Sequence, residues 1–215
     1  MTSPRTRLRL VERLREQGIR NEAVLAAIAE VPRHIFVDEA LSSRAYEDTA
    51  LPIGLGQTLS QPYIVARMTE IIVDSGPVDR VLEVGTGSGY QAIILAQLCR
   101  RLYTIERHPE LLKLAEMRFD QMQLANITAI VGDGAGGWPE QAPFERILVA
   151  AAAADVPPVL FDQLAIGGIM VVPVGLDEGD QRLMKVTRTS DGADTRDLGP
   201  TRFVPLVDGL VTASS

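Results

Sequence analysis

The stretch that most restricts how this chain can fold covers residues 80–89, where Arg80-Val81-Leu82-Glu83-Val84 runs into Gly85-Thr86-Gly87-Ser88-Gly89. A short apolar run of this kind fits a strand buried on both faces. Residues 90–98 continue with the apolar spacing of a helix. The three alternating glycines therefore occupy a strand-to-helix turn. Without Cβ atoms they let backbone N–H groups approach a ligand at the positive end of the helix, where polar or anionic groups of a nucleotide-like cofactor are favoured.

From Gly76-Pro77 onward strands and helices alternate, the pattern of a parallel sheet with helices on both faces. Strands are predicted near 80–84, 102–106, 127–131 and 146–150, and helices near 89–99, 109–124 and 157–164. Gly167-Gly168 introduces a very apolar strand at 169–174. Residues 183–187 and 202–206 read as two last strands forming a closing hairpin across the polar stretch 189–200, and the end from Thr212 reads as frayed. Upstream, Ser3-Pro4 starts a helix that Gly18 stops, and Asn21 caps a second that Pro32 ends. Residues 33–57 read as one long ordered loop. Pro62 opens a third helix with Ile64, Val65, Met68, Ile71 and Ile72 inward and Ser60 or Gln61 at its cap.

With 215 residues and 46% hydrophobic content, the chain reads as one domain with a core of its own. Within it, residues 1–76 supply N-terminal helices and a cleft loop, 77–188 a cofactor-binding core, and 189–215 a C-terminal strand and tail. A net charge of −7 argues against a nucleic-acid or anionic-membrane binder, whose affinity needs clustered Lys and Arg. The run Arg5, Arg7, Arg9, Arg13, Arg15 reads as the solvated face of a helix striped with Leu8, Leu10, Val11 and Leu14. No apolar run is long enough to span a bilayer and no signal-peptide core follows Met1, so a cytoplasmic monomer is expected. Cys99, the single cysteine, reads as packing, and no metal site is expected.

Three signals fall at the carboxyl ends of successive strands, where open parallel sheets bind ligands. The glycines are the first. Glu106 is the second, ending the next strand about where an acidic residue accepts hydrogen bonds from ribose hydroxyls. Gly132-Asp133-Gly134 is the third: an Asp there can accept an exocyclic amine while adenine lies against the backbone beside it. Each has a plainer reading, Glu106 as a helix first-turn acid and Asp133 as a turn residue. Glu83, inside an apolar strand, needs a hydrogen bond or a charge partner. Taken together these residues point to a ligand with adenine and ribose.

Residues 81–90, Tyr103-Thr104-Ile105-Glu106-Arg107 and Gly132-Asp133-Gly134 resemble the cofactor motifs of the S-adenosylmethionine-dependent methyltransferases. Val31-Pro32-Arg33-His34-Ile35-Phe36-Val37, Ala45-Tyr46-Glu47-Asp48, Leu51-Pro52-Ile53-Gly54, Gly56-Gln57-Thr58-Leu59-Ser60-Gln61-Pro62 and Arg202-Phe203-Val204-Pro205-Leu206 narrow the resemblance to the protein-L-isoaspartate O-methyltransferase family, over about residues 18–207. The resemblance implies an α/β fold: a Rossmann-like seven-stranded methyltransferase sheet with helices on both faces, an N-terminal helical extension and a C-terminal strand hairpin. It implies S-adenosyl-L-methionine as cofactor, leaving as S-adenosyl-L-homocysteine, and isoaspartyl-containing proteins and peptides as substrates for repair. By the same resemblance, Gln57, Glu83, Gly85, Thr86, Gly87, Ser88, Gly89, Glu106, Arg107, Asp133 and Gly134 hold the cofactor. Thr58 and Ser60 lie beside the reacting carboxylate, and Ile53, Ser60, Phe203, Val204 and Pro205 bind the peptide. The chain departs from the family at Ala150, where many members carry Thr, at Ala154, where they carry Pro, and at Glu145, where Asp is common. A methyltransferase of another substrate class and a non-catalytic cofactor-binding module remain as alternatives.

Overall fold

Helix α1 (Pro4–Glu16) buries Leu10, Val11 and Leu14, and Gly18 closes it at a φ of 103°. The computed structural model describes residues 4–74, 76–176 and 179–209, so Ser3 and the end from Thr212 lie outside the described residues. Asn21 caps α2 (Glu22–Glu30), its side chain accepting from the Ala23 and Val24 amides at 3.1 and 3.2 Å. Glu70, on α3 (Pro62–Val73), braces the same corner by accepting from the Arg20 and Asn21 amides at 2.7 and 2.9 Å.

Gln61 is the N-cap residue of the third helix, one of the two expected there, but its side chain makes no cap bond. Asp48 does that work from outside, accepting from the Tyr63 amide at 3.0 Å. Residues 33–57, expected as one loop, contain two short 3₁₀ turns and a hairpin of β1 (Leu51–Gly54) and β2 (Gln57–Leu59). Strands this short, one of them holding Pro52, show no alternation to read in a sequence.

The main sheet has seven strands, in spatial order β5 (Ile127–Val131), β4 (Cys99–Glu106), β3 (Val78–Val84), β6 (Phe144–Val149), β7 (Leu164–Val174), β8 (Arg182–Thr189) and β9 (Gly192–Pro200). β3 to β7 are parallel, while β8 and β9 run antiparallel to their neighbours. Side chains alternate across the sheet, so β3 sends Val81 to one face and Leu82 and Val84 to the other. The first face packs under α1, α2, α3, α4 (Tyr90–Ala96) and α5 (Pro109–Gln121), and the second carries α6 (Pro158–Asp162) through Leu160.

Two expectations are corrected. Gly167-Gly168 does not precede β7 but lies within it: Phe144 pairs with Leu164 and Arg146 with Ile169, so the strand bulges between those pairs. The closing hairpin is β8 with β9, and residues 202–206 are not its second strand. β9 is a sheet edge exposed over most of its length, so burial imposed no apolar alternation on it. The 202–206 segment instead crosses the sheet end, with Val204 O accepting from Ala152 N at 2.8 Å and Leu206 N donating to Ala152 O at 2.7 Å.

Candidate functional site

The carboxyl ends of β3, β4 and β6, strand β2 and the 203–207 segment enclose a cavity of about 200 Å³. Its glycine wall is fixed by backbone bonds: the Gly85 and Thr86 amides both donate to Ile105 O, at 2.9 and 3.2 Å. Glu106, buried at the end of β4, accepts from the Gly87 amide at 2.7 Å and from the His108 amide at 3.0 Å. One carboxylate thus ties the glycine turn to the turn after β4. Gly85, Thr86, Gly87, Ser88, Glu106 and Arg107 all line the cavity.

Gly89 serves packing instead. It sits at φ 84°, and a Cβ there would lie 2.9 Å from Phe119 Cε1 and 3.0 Å from Ala115 Cβ, so the glycine lets α4 and α5 approach each other. Gly134 lines the cavity because a side chain is excluded there, where a Cβ would fall 2.5 Å from Val84 Cγ1.

Glu83 and Asp133 do not line the cavity. Glu83 is fully buried behind the glycine turn, accepting from Thr104 Oγ1 at 2.6 Å, and Thr104 Oγ1 lies 2.6 Å from Thr86 Oγ1. Its other oxygen has no hydrogen-bond partner. Burial pushes this carboxyl up to about 8. Asp133 accepts from the Ala135 amide at 2.9 Å, capping a 3₁₀ turn, and from the Gly209 amide at 2.8 Å.

The opposite wall is built from Gln57, Thr58 and Ser60, with Phe203, Val204 and Pro205 completing it. Ser60 is half-buried, and its carbonyl accepts from Arg33 Nη2 at 2.6 Å. Gln181 holds the 203 position by both backbone groups, accepting from Phe203 N at 2.7 Å and donating to Phe203 O at 3.0 Å. Ile53 does not line the cavity, although its Cδ1 would stand 3.4 Å from a Cβ on Gly87. Ala150 does line it, hydrogen-bonded through its amide to Val84 O at 2.8 Å.

Sequence reasoning missed Val65 and Met68 of α3, Tyr90 and Gln91 of α4, and Leu206 and Val207. Tyr90 and Gln91 directly follow the glycines, a position that could have flagged them, whereas Val65 and Met68 have the spacing of core residues. Neither histidine lines the cavity: His34 Nδ1 lies 2.9 Å from the Tyr46 hydroxyl, and His108 is the N-cap of α5. Cys99 has its thiol pushed up to about 12 by burial, with the nearby Glu83 charge adding to the effect. Among the described residues no three His, Cys, Asp or Glu side chains form a metal-holding group, and no helix is long and apolar enough to cross a membrane.

The chain is similar to known proteins over nearly its whole length. A family model described as Protein-L-isoaspartate(D-aspartate) O-methyltransferase matches residues 5–211. A protein-L-isoaspartate O-methyltransferase of Hahella chejuensis is 56% identical over 213 residues, covering 98% of this chain and 100% of the relative. The protein-L-isoaspartate O-methyltransferase 1 of Nitrosococcus oceani is 58% identical over 209 residues, covering 96% and 98%. A Plasmodium falciparum crystal structure described under the same enzyme name, in complex with S-adenosyl-L-homocysteine, matches with a TM-score of 0.80 at 25% identity, covering 93% of this chain and 97% of that one.

Proposed function

Since the chain belongs to the protein-L-isoaspartate (D-aspartate) O-methyltransferase family, we propose a division of roles for moving a methyl group from S-adenosylmethionine to the free carboxylate of an isoaspartyl residue. The observation that carries it is the meeting, in one cavity, of the glycine turn and Glu106 on one wall with Thr58 and Ser60 on the other.

The residues present suit the cofactor: backbone close to the cavity at Gly85 and Gly87, a buried carboxylate at the end of β4, and a side-chain-free floor at Gly134. When bound, it supplies a methyl group on a positively charged sulfur. Gly85, Gly87 and Ser88 would hold its methionine part and Glu106 its ribose, with Gln57 and Arg107 flanking it. Gly134 would meet the adenine, and Asp133 its amine, once the Gly209 amide shares or releases the oxygen it now holds. Gly89 would act by setting the turn. Glu83 would act at one remove, holding Thr86 through Thr104.

Thr58 and Ser60 would orient the substrate carboxylate, while Phe203, Val204 and Pro205, with Ile53 next to Gly87, would bind the extended peptide. A carboxylate is ionised near neutrality, so no general base is required, in keeping with two histidines that both lie off the cavity. Attack of an anion on a cation neutralises charge, so alignment and dryness supply the acceleration, and Leu59, Val65, Met68, Leu148 and Phe203 make much of the wall apolar. We place the work in the cytoplasm, by a single-domain monomer acting on proteins and peptides rather than nucleic acid or membranes. The net charge of −7 and one continuous core joining α1 to β7 support that setting.

A labelled-methyl assay on an isoaspartyl peptide beside its normal aspartyl twin tests the reading. Transfer to the isoaspartyl peptide alone is expected, and transfer to neither despite tight cofactor binding would sink it. Asp133→Ala should weaken cofactor binding, whereas Ser60→Ala should chiefly lower turnover.

A further inference from the structure

Arg33 is fully buried beside the cavity. Its Nε donates to Ala45 O at 2.7 Å and its Nη2 to Ser60 O at 2.6 Å. The remaining nitrogen, Nη1, has no hydrogen-bond partner, and among the described residues no carboxylate lies within ion-pair distance of this guanidinium. Its carbon stands 4.9 Å from the centroid of the Tyr90 ring. Tyr90 lines the cavity, is itself buried, and has a hydroxyl without a partner. Burial pushes that hydroxyl up, an effect the neighbouring Arg33 charge opposes, and no hydrogen bond of ordinary geometry joins the two.

The pair is held from the far side as well. Phe36 meets Tyr90 edge-on with centroids 5.1 Å apart, Arg118 lies 5.2 Å over Phe36, and Arg118 Nη1 donates to Ser88 O at 2.8 Å. A stack of two cations and two rings is therefore tied at one end to Ser60 and at the other to Ser88, on the two facing walls of the cavity.

The Asp48 charge favours this cation only from beyond ion-pair distance; a buried cation without a counter-charge in contact is costly, and an arginine does not escape by losing its proton. Here the cation is bonded to the Ser60 carbonyl, and the buried hydroxyl of Tyr90, a cavity-lining residue, has no hydrogen-bond partner. We propose that the substrate's free carboxylate is the missing counter-charge, and that Arg33, acting through Tyr90 and the Ser60 loop, is a positioning residue that selects an anionic acceptor. The proposal rests on the isoaspartyl reading above. Its geometry has a chemical merit: a charge held at the Ser60 carbonyl attracts the carboxylate without a direct two-pronged pairing that would hold its electrons too tightly to attack.

The test compares binding of an isoaspartyl peptide with that of its α-carboxamide twin, which is uncharged and of the same shape but carries an NH2 donor in place of one acceptor oxygen, with S-adenosylhomocysteine present. The unaltered protein should prefer the carboxylate. Tyr90→Phe and Arg33→Gln should each shrink that preference by about tenfold, the scale of a charge-assisted hydrogen bond, with S-adenosylhomocysteine affinity unchanged. Arg33→Lys, which keeps the charge, should recover most of the preference. A preference that survives both Tyr90→Phe and Arg33→Gln overturns the proposal, as does an equal loss of affinity for both peptides, which would make the stack a scaffold only. If Arg33→Gln does not fold, Tyr90→Phe removes a single oxygen and carries the same reading. An unaltered protein that methylates no isoaspartyl peptide would instead defeat the isoaspartyl reading itself.

Discussion

Replacing Glu83 by glutamine should stabilise the unliganded protein, by an amount that grows with pH. Burial, assisted by the neighbouring Glu106 charge and only partly opposed by the Thr104 hydrogen bond, moves this carboxyl from 4.5 up to about 8. Between those values the folded protein keeps a proton that the unfolded chain has lost. Folding that requires proton uptake weakens as protons become scarce, so the contribution of Glu83 falls as pH rises from 4.5 and levels off above about 8. At about 1.4 kcal/mol per pH unit the penalty reaches roughly 3 kcal/mol at pH 7 and roughly 4 kcal/mol at pH 8, where the slope is falling off. Glutamine has the shape of the protonated acid and no charge to desolvate, so the variant escapes it. Urea unfolding of both proteins, from about pH 5 to about pH 8, should give similar slopes against denaturant and a stability gap that widens from near zero to several kcal/mol. Parallel stability curves would refute the reasoning, because they would mean that Glu83 carries the same charge folded and unfolded.

The other expectations concern the frame around the cavity. Gly89→Ala introduces a Cβ at φ 84° against Phe119 and Ala115, which should cost about 2 to 4 kcal/mol in denaturant unfolding; unchanged stability would show that α5 yields easily. Gln181→Ala frees both backbone groups of Phe203, so KM for the isoaspartyl peptide should rise several-fold while S-adenosylhomocysteine affinity, measured by calorimetry, stays constant. Asn21→Ala removes the cap of α2 and should lower stability by about 1 kcal/mol without touching turnover, a result that separates folding loss from site loss in the same assays.

Much of the cofactor half was legible because its signals are local. A buried parallel strand must be apolar throughout, a tight turn at its end must be glycine, and a carboxylate at the end of the next strand is adjacent by topology alone. Helices α2, α3 and α5 likewise announced themselves through Asn21, Pro62 and Pro109, whose preferences depend only on neighbours in sequence. The failures have a common physical origin too. β9 is a strand because β8 offers it a ladder, not because its own residues alternate, and 202–206 is extended because Ala152 and Gln181 hold its backbone.

By itself the sequence determined a parallel α/β sheet, a glycine-lined turn beside Glu106, and, through resemblance, the family to which the chain belongs. Only the tertiary structure decided which of the motif residues face the cavity. Glu83 and Asp133 carry the right chemistry but turn their oxygens to Thr104 and to the Ala135 and Gly209 amides, while Val65 and Met68, which read as core, form its wall. The difference follows from range. A residue's conformational and burial preferences act over a few positions along the chain, whereas the identity of its partners, as when Arg33 meets Ser60 and Tyr90, is set by packing between segments far apart in it.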